Sequence, residues 1–218
     1  MASGEMTPPQ YTPFLASVFH QMAAASIDGA IHFICTDAKH LGEMTTAAGD
    51  VYDEHLTLVV WDKRAGGMGG LYRNQHELIF VEKVGKARSL NNVELGRHGR
   101  NRTNVWSYRG LASFGKERLE TLALHPTVKP VALVADAILD VSKRNDIILD
   151  PFAGSGTTVI AAEKTGRIAG VIEIDPHYCD VVVRRWEAYA GKAAMHSGIG
   201  LDFEEVAEQR RSTPLAIG

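Results

Sequence analysis

The stretch ILDPFAGSGTTVIAAEK (148–164) constrains the fold more than any other part of the chain. A short apolar run closes on an acid, a loop of small residues follows, and helical spacing begins at Thr157. A strand that feeds a helix through so tight a loop is half of a strand–helix–strand unit, and such units build parallel sheets covered by helices. Other segments agree. Residues 30–35 (AIHFIC), 56–61 (LTLVVW), 77–82 (ELIFVE), 146–149 (DIIL) and 168–174 (IAGVIEI) are short, rich in β-branched or aromatic residues and bounded by turn formers. Each predicts a strand, and KAAMH (192–196) a weaker one. Helices are predicted over 9–24, where Phe14, Leu15, Val18, Phe19 and Met22 share a face, and from Pro130 through VALVADAILDVS. Residues 157–164 and 177–189 complete the helical set, and FEEVAEQRR near the end forms a short acidic amphipathic turn. The expected class is α/β, a mostly parallel sheet with helices on both faces. The Gly-rich link AGGMGGLYRNQ between 56–61 and 77–82 predicts an antiparallel excursion.

Charge is unevenly spread. The chain carries −3 overall, yet residues 83–118 hold nine Lys/Arg against Glu94 and Glu117, a local +7. A basic lobe on an acidic body fits a polyanionic partner meeting one face; a solvated Arg-rich loop is the alternative. Helical and strand periodicity stop between 84 and 124, where Trp106, Tyr108 and Phe114 are interleaved with basic residues. A loop that long inside a compact domain is functional or disordered. The two cysteines, Cys35 and Cys179, sit in apolar segments and make no disulfide framework, so a reducing cytoplasm is the expected compartment. No apolar run approaches the roughly 20 residues of a membrane helix. His32, His40, His55, His76 and His98 show no ligand spacing with cysteine or carboxylate partners, so no metal is expected.

The glycine loop admits three ligands in principle. A P-loop requires GxxxxGK[ST], and nothing after Gly154 supplies its Lys. A dinucleotide loop matches GxG at Gly154-Ser155-Gly156, but Val159 stands where a third glycine is required. Acids decide more. Asp150 ends the strand before the loop, and Glu173 ends the next strand, nineteen residues after Gly154. A Glu there suits ribose hydroxyls, and an acid at Asp150 repels pyrophosphate while suiting ammonium and sulfonium charge. S-adenosylmethionine has that chemistry.

Three motifs carry a family resemblance. ALHPTVKPVAL (123–133), DPFAGSGTT (150–158) and GVIEIDPHYCDVVVRRW (170–186) resemble the cofactor motifs of the DNA amino-methyltransferases, which modify adenine N6 or cytosine N4. Their order resembles the permuted β-type arrangement, and RNQHELIFVEK (73–83) looks like the last strand motif of the catalytic half. The resemblance implies a Rossmann-like methyltransferase domain over 1–198, with 84–124 as an inserted target-recognition region and 199–218 as a tail. It implies S-adenosylmethionine as cofactor and double-stranded DNA as partner, no membrane, and room for a homodimer. Methyl transfer goes to the exocyclic amine of a flipped base, adenine N6 before cytosine N4.

Site residues follow from the same resemblance. Asp150, Pro151, Phe152, Gly154 and Gly156 would shape the methionine end of the cofactor site, with Ser155, Thr157 and Thr158 capping the next helix. Glu173 would bind ribose, Asp175 or its neighbours would border the adenine, and His125, Thr127 and Lys129 would close over the cofactor. Arg97, Arg100, Asn101, Arg102, Asn104, Trp106 and Arg109 would face DNA.

One motif is missing. The family's Asp/Asn/Ser-Pro-Pro-aromatic motif ends a central strand beside the glycine-loop strand, and these 218 residues do not contain it. Pro8-Pro9 follow Thr7 and read as a helix start. The expectation is an amino-terminally truncated copy with no catalytic residues of its own, whose strands at 146–149 and 30–35 either pair directly or leave edges open. Two rivals stay open: a silent DNA- or cofactor-binding remnant, and a dinucleotide-dependent oxidoreductase.

Overall fold

The computed structural model describes residues 6–67, 69–97, 100–110 and 128–212. Helix α1 (Pro8–Ala24) begins where the Gln10 side chain accepts from the Thr7 N–H at 3.0 Å and from its hydroxyl at 2.8 Å, with proline in the first turn. A proline there sacrifices no intrahelical bond. Strand β1 (Ile31–Thr36), helix α2 (Leu41–Gly49), and strands β2 (Glu54–Asp62), β3 (His76–Lys83) and β4 (Val105–Ser107) follow. These strands form one sheet in the order β1-β3-β2-β4, with β3 antiparallel to both β1 and β2, and β4 parallel to β2. The antiparallel excursion is therefore β3 alone.

Alternation along the strands sends side chains to two layers. On one face Phe80, Ile34 and Leu58 meet Leu15 and Phe19 of α1 and Met44, Ala47 and Ala48 of α2. On the other, Val59, Trp61, Ile79, Val81 and Trp106 meet Leu133 and Ala137 of helix α3 (Val131–Val141). Strands β5 (Ile147–Asp150) and β6 (Ile168–Val171) form a separate parallel pair, and helices α4 (Thr157–Thr165), α5 (Pro176–Ala190) and α6 (Phe203–Ser212) complete the order. Helix α3 ties the pairs together, because Ala135 and Ile138 pack on Ala161 of α4 and Ile148 of β5. Among the described residues, no helix is long and apolar enough to cross a membrane.

Three expectations change and one open alternative is decided. KAAMH is not a strand; Met195 makes only an isolated bridge to Asp202. The predicted strand over 168–174 stops at Val171, because the N–H groups of Ile174 and Asp175 turn to the Glu173 carboxylate. Helix α2 and strand β4 lie where periodicity showed nothing, and β4 has only three residues, too few to display alternation. Among the described residues β1 and β5 do not pair, so of the two outcomes expected for these strands the open edges are the one realised.

A buried polar relay lies under α1. The Ser26 hydroxyl donates to the Met22 carbonyl at 2.7 Å, so toward His32 Nε2, 2.9 Å away, it acts as acceptor. His32 Nδ1 then accepts from the Tyr52 hydroxyl at 2.9 Å, which describes a neutral imidazole. Burial pushes its pKa from 6.5 down to about 4. The unfolded chain thus binds the proton more readily, and stability is complete above pH 6.5 and falls as pH drops toward 4. The loss amounts to roughly 3 kcal/mol. Thermal melts between pH 7 and 4 should show a steeper fall in Tm for the parent than for His32→Asn; equal slopes would contradict the relay.

Candidate functional site

The glycine loop is folded onto its own acid. Asp150 Oδ1 accepts from the Phe152 N–H at 3.0 Å, and Oδ2 accepts from the Thr158 hydroxyl at 2.6 Å. This carboxylate therefore joins the end of β5 to the first turn of α4. The loop turns through Gly154 at φ +52° and Gly156 at φ +78°, and the Gly156 N–H donates to the Ala153 carbonyl at 2.8 Å. The Ala153 N–H donates to the Ile172 carbonyl at 3.0 Å, fastening the loop to the chain leaving β6. Gly156 is required twice over: a Cβ there would stand 2.9 Å from Val182 Cγ atoms of α5, and its φ lies in the left-handed region. Close packing expected of a third glycine at Val159 is supplied here, between the loop and α5.

Ser155, Thr157 and Thr158 are expected to cap α4 and orient the loop; none caps the helix, while Thr158 bonds across the loop and Thr157 to the segment before it. The N-cap is Gly156, without a side-chain cap, and Thr157 Oγ1 donates to the Lys129 carbonyl at 3.3 Å instead. Ser155 is buried, and its carbonyl accepts from Arg185 of α5. Among the described residues the first N–H groups of α4 thus lack side-chain partners, which leaves them available to an anionic group. Pro151 is half-buried, whereas Phe152 is exposed with its ring 6.4 Å from Phe14.

Glu173 spans the two loops. Its Oε2 accepts from the Gly154 N–H at 2.7 Å, while Oε1 accepts from Ile174 N–H at 2.9 Å and Asp175 N–H at 3.0 Å. Asp175 caps α5 through the His177 N–H at 2.9 Å. The acids named from sequence thus stand together at the carboxyl edge of the parallel pair β5–β6, where ligands of open α/β sheets collect.

Lys129 approaches the same corner from another side. It lies 3.9 Å from Glu77 Oε2, and Lys63 holds Glu77 Oε1 at 2.7 Å. Neighbouring Cys35, Glu77 and Asp150 hold its ammonium above the ordinary lysine range, and burial pushes the Cys35 thiol up. His125 and Thr127 lie outside the described residues.

The basic stretch divides into core and surface. Trp106 is 7% exposed and packs in the sheet core, opposite Trp61 in register, so it is not a surface aromatic for a displaced base. Arg102 stacks 4.4 Å from the Trp106 ring centroid and pairs with Asp140 of α3 at 2.9 Å. Asn104 donates to the Leu58 carbonyl at 3.0 Å. These three, expected at DNA, are engaged in holding β4 and its flanks to the fold. Arg100 pairs with Glu94 at 2.8 Å and Arg97 with the same carboxylate at 3.8 Å, and Arg97, Asn101 and Arg109 are exposed. Val182 and Arg185 went unnoticed in the sequence; their i, i+3 spacing on α5 is the signal that both face the glycine loop.

With this geometry in view, the comparisons with known proteins are direct. The protein resembles in fold the M1.HpyAVI–SAM complex, with a TM-score of 0.67, 22% identity, and coverage of 82% of this chain and 84% of that one. It resembles equally the cytosine-N4-specific PvuII DNA methyltransferase, with a TM-score of 0.67, 15% identity, and coverage of 85% and 74%. The N6_N4_Mtase family profile, described as DNA methylase, matches residues 4–184, and the chain belongs to that family. Relatives include the type II methyltransferase M.ScaI of Streptomyces caespitosus, 40% identical over 92 residues, and M.HinfI of Haemophilus influenzae, 35% identical over 140. The matches take in 42% and 60% of this chain but only 30% and 38% of those proteins.

Replacing Gly156 by Ala should lower stability by about 1–3 kcal/mol, from left-handed strain and the Val182 contact together. Val182→Ala in the same chain should restore only part, because it relieves the contact and leaves the strain. Denaturant unfolding of the two variants reads the difference, and complete recovery would show that φ carries no cost.

Proposed function

We propose that this chain is the cofactor-binding and DNA-binding part of an S-adenosylmethionine-dependent methyltransferase acting on an exocyclic base amine. The observation that carries the reading is the placement of two carboxylates, Asp150 and Glu173, at the carboxyl edge of one parallel strand pair, each accepting from a glycine-loop N–H, Phe152 for Asp150 and Gly154 for Glu173. Lys129 and Lys63 are already shared with Glu77. Such a corner repels a pyrophosphate and complements a cationic nucleoside, which disfavours the oxidoreductase alternative.

The residues fit the cofactor's parts. Glu173 has three of about four acceptor sites occupied by backbone N–H groups, leaving one for a ribose hydroxyl; a second hydroxyl displaces the Gly154 N–H. Asp150 carries negative charge beside the loop, and the uncapped N–H groups of α4 suit a carboxylate. When bound, S-adenosylmethionine supplies an electrophilic methyl group on a sulfonium. Isothermal titration should show binding of S-adenosylmethionine and none of NAD. Glu173→Ala should weaken it at least about tenfold, and the Gly154 amide resonance should shift on binding. Tight NAD binding, or none of S-adenosylmethionine, would overturn the assignment.

Transfer itself needs groups that hold the acceptor amine, and these 218 residues contain no Asp/Asn/Ser-Pro-Pro-aromatic motif. The edges of β1 and β5, unpaired with each other among the described residues, favour a second reading, a binding module without turnover by itself. Incubation with unmodified DNA and labelled cofactor separates the two: robust methylation by residues 1–218 alone would remove the second.

The exposed Arg97 and Arg109, not Arg102, are assigned to the DNA backbone. Substituting either by Ala should weaken binding across sequences and reduce the salt slope by about one. Arg102→Ala should lower Tm instead, and an unchanged Tm with weakened DNA binding would return Arg102 to the interface.

A further inference from the structure

Between β2 and β3 the chain turns through residues 63–75, and the described part of this turn is braced from its root outward. Asp62 Oδ1 accepts from the Gln75 side chain at 2.9 Å and from the Arg64 N–H at 2.8 Å, while Oδ2 accepts from the Ser107 hydroxyl at 3.1 Å. The Lys63 N–H donates to the Gln75 carbonyl at 2.9 Å, and further out the Gly67 N–H donates to the Asn74 carbonyl at 2.8 Å. Arg73 reaches across the turn and donates to the carbonyls of Gly66 and Gly67. The turn closes tightly enough to demand glycine, since a Cβ at Gly69 would stand 1.9 Å from the Tyr72 carbonyl oxygen. At its tip Leu71 is 89% exposed and Tyr72 81%, and neither belongs to a cluster of the core. Single exposed apolar side chains are ordinary, but two adjacent large ones held out on a braced turn mark a contact surface.

The place of the turn identifies what it meets. Lys63 at its root holds Glu77 Oε1 at 2.7 Å, and Lys129 lies 3.9 Å from Glu77 Oε2. The Lys129 carbonyl in turn accepts from Thr157, in the first turn of α4, at 3.3 Å. The turn therefore rises from the edge of the molecule that carries the glycine loop. Arg109 is fixed against the same root, because the Tyr108 N–H donates to the Asp62 carbonyl at 3.2 Å and the Gly110 N–H to the Lys63 carbonyl at 3.1 Å. The approach is close, with a Cβ at Gly110 standing 3.2 Å from Lys63 Cβ. Arg64, Arg73 and Arg109 are all exposed. An apolar tip flanked by guanidinium groups complements a polyanion with an apolar interior, which is the make-up of a stacked duplex.

We propose that Leu71 and Tyr72 form a wedge that enters the base stack of a DNA duplex beside the base presented to the cofactor, with Arg64 and Arg109 on the flanking phosphates. The proposal rests on the DNA-binding reading above. Taking a base out of a duplex leaves its neighbours without a stacking partner. Apolar side chains inserted at such a step replace the lost contacts, and Leu is among those that proteins use there. Because the turn is already formed, little chain entropy is lost when the tip goes in. The wedge acts on the extrusion of the base and touches no reacting atom.

Fluorescence anisotropy with two duplexes of one sequence, one fully paired and one carrying a single abasic site, tests it. The abasic duplex has already lost a base, so the parent chain should bind it at least about tenfold more tightly than the paired one. The double variant Leu71→Ser, Tyr72→Ser should lose that preference, keep its affinity for the paired duplex within about twofold, and melt at the parent's Tm. Tyr72→Phe should retain the preference, whereas Arg109→Ala should weaken both duplexes alike. Equal binding of the two duplexes by the parent, a preference that survives in the double variant, or equal weakening of both duplexes by it would overturn the wedge and leave the DNA reading standing. A parent dimer that the double variant converts to monomer with its DNA preference unchanged would assign the tip to a second copy and overturn the wedge. Binding of neither duplex by the parent would overturn the DNA reading and the wedge with it.

Discussion

Helix α3 is buried on two sides, and the relation between the two sheets depends on it. Leu133 and Ala137 enter the layer under Trp61 and Ile79, while Ala135 and Ile138 meet Ala161 and Ile148. Alanines at 135, 137 and 161 let backbones approach closely, and the larger side chains fill the remaining space. Its third side is polar and is also engaged. Tyr108 donates to Asp136, Arg102 pairs with Asp140, and Asn92 donates to the carbonyls of Leu139 and Ser142 at the helix end. The basic stretch is thereby laid along the same helix that Lys129 precedes, one residue before its Pro130 N-cap.

This arrangement explains why a charge run does not become a uniformly basic surface. Residues 91–110 use part of their polar complement to attach β4 and its flanks to α3 and β2, and Trp106 goes into the core with them. Arg97, 3.8 Å from Glu94, and Arg109 stay exposed on the outside of the stretch. The glycine loop follows the same economy of contacts. Asp150 and Glu173 bind their own backbone through N–H groups and a threonine hydroxyl, which holds the acids in position before any ligand arrives.

Much of this was legible in the chain. Strands β1, β2, β3 and β5 and helices α1, α3, α4 and α5 lie within a few residues of where apolar period and turn formers put them. The acids at 150 and 173 and the glycine loop came from local pattern as well. What sequence missed shares one physical origin. A three-residue strand such as β4 has no period to detect, α2 is held by packing of Met44 and Ala47, and the fate of Trp106 depends on its neighbour Trp61 across the sheet. Such contacts join residues far apart in the chain, and local propensity does not encode them.

The sequence by itself determined the class of fold, the loop that turns through Gly154 and Gly156, and the acids that flank it, because each is written in residues close along the chain. Only the tertiary structure decided that Glu173 reaches the Gly154 N–H, that Gly156 must admit Val182, and that Arg102 and Trp106 belong to the core side of the basic stretch. It also decided that, among the described residues, β1 and β5 belong to separate sheets. Pairing and burial are set by which segments meet in space, and that is fixed only when α3 packs against both sheets at once.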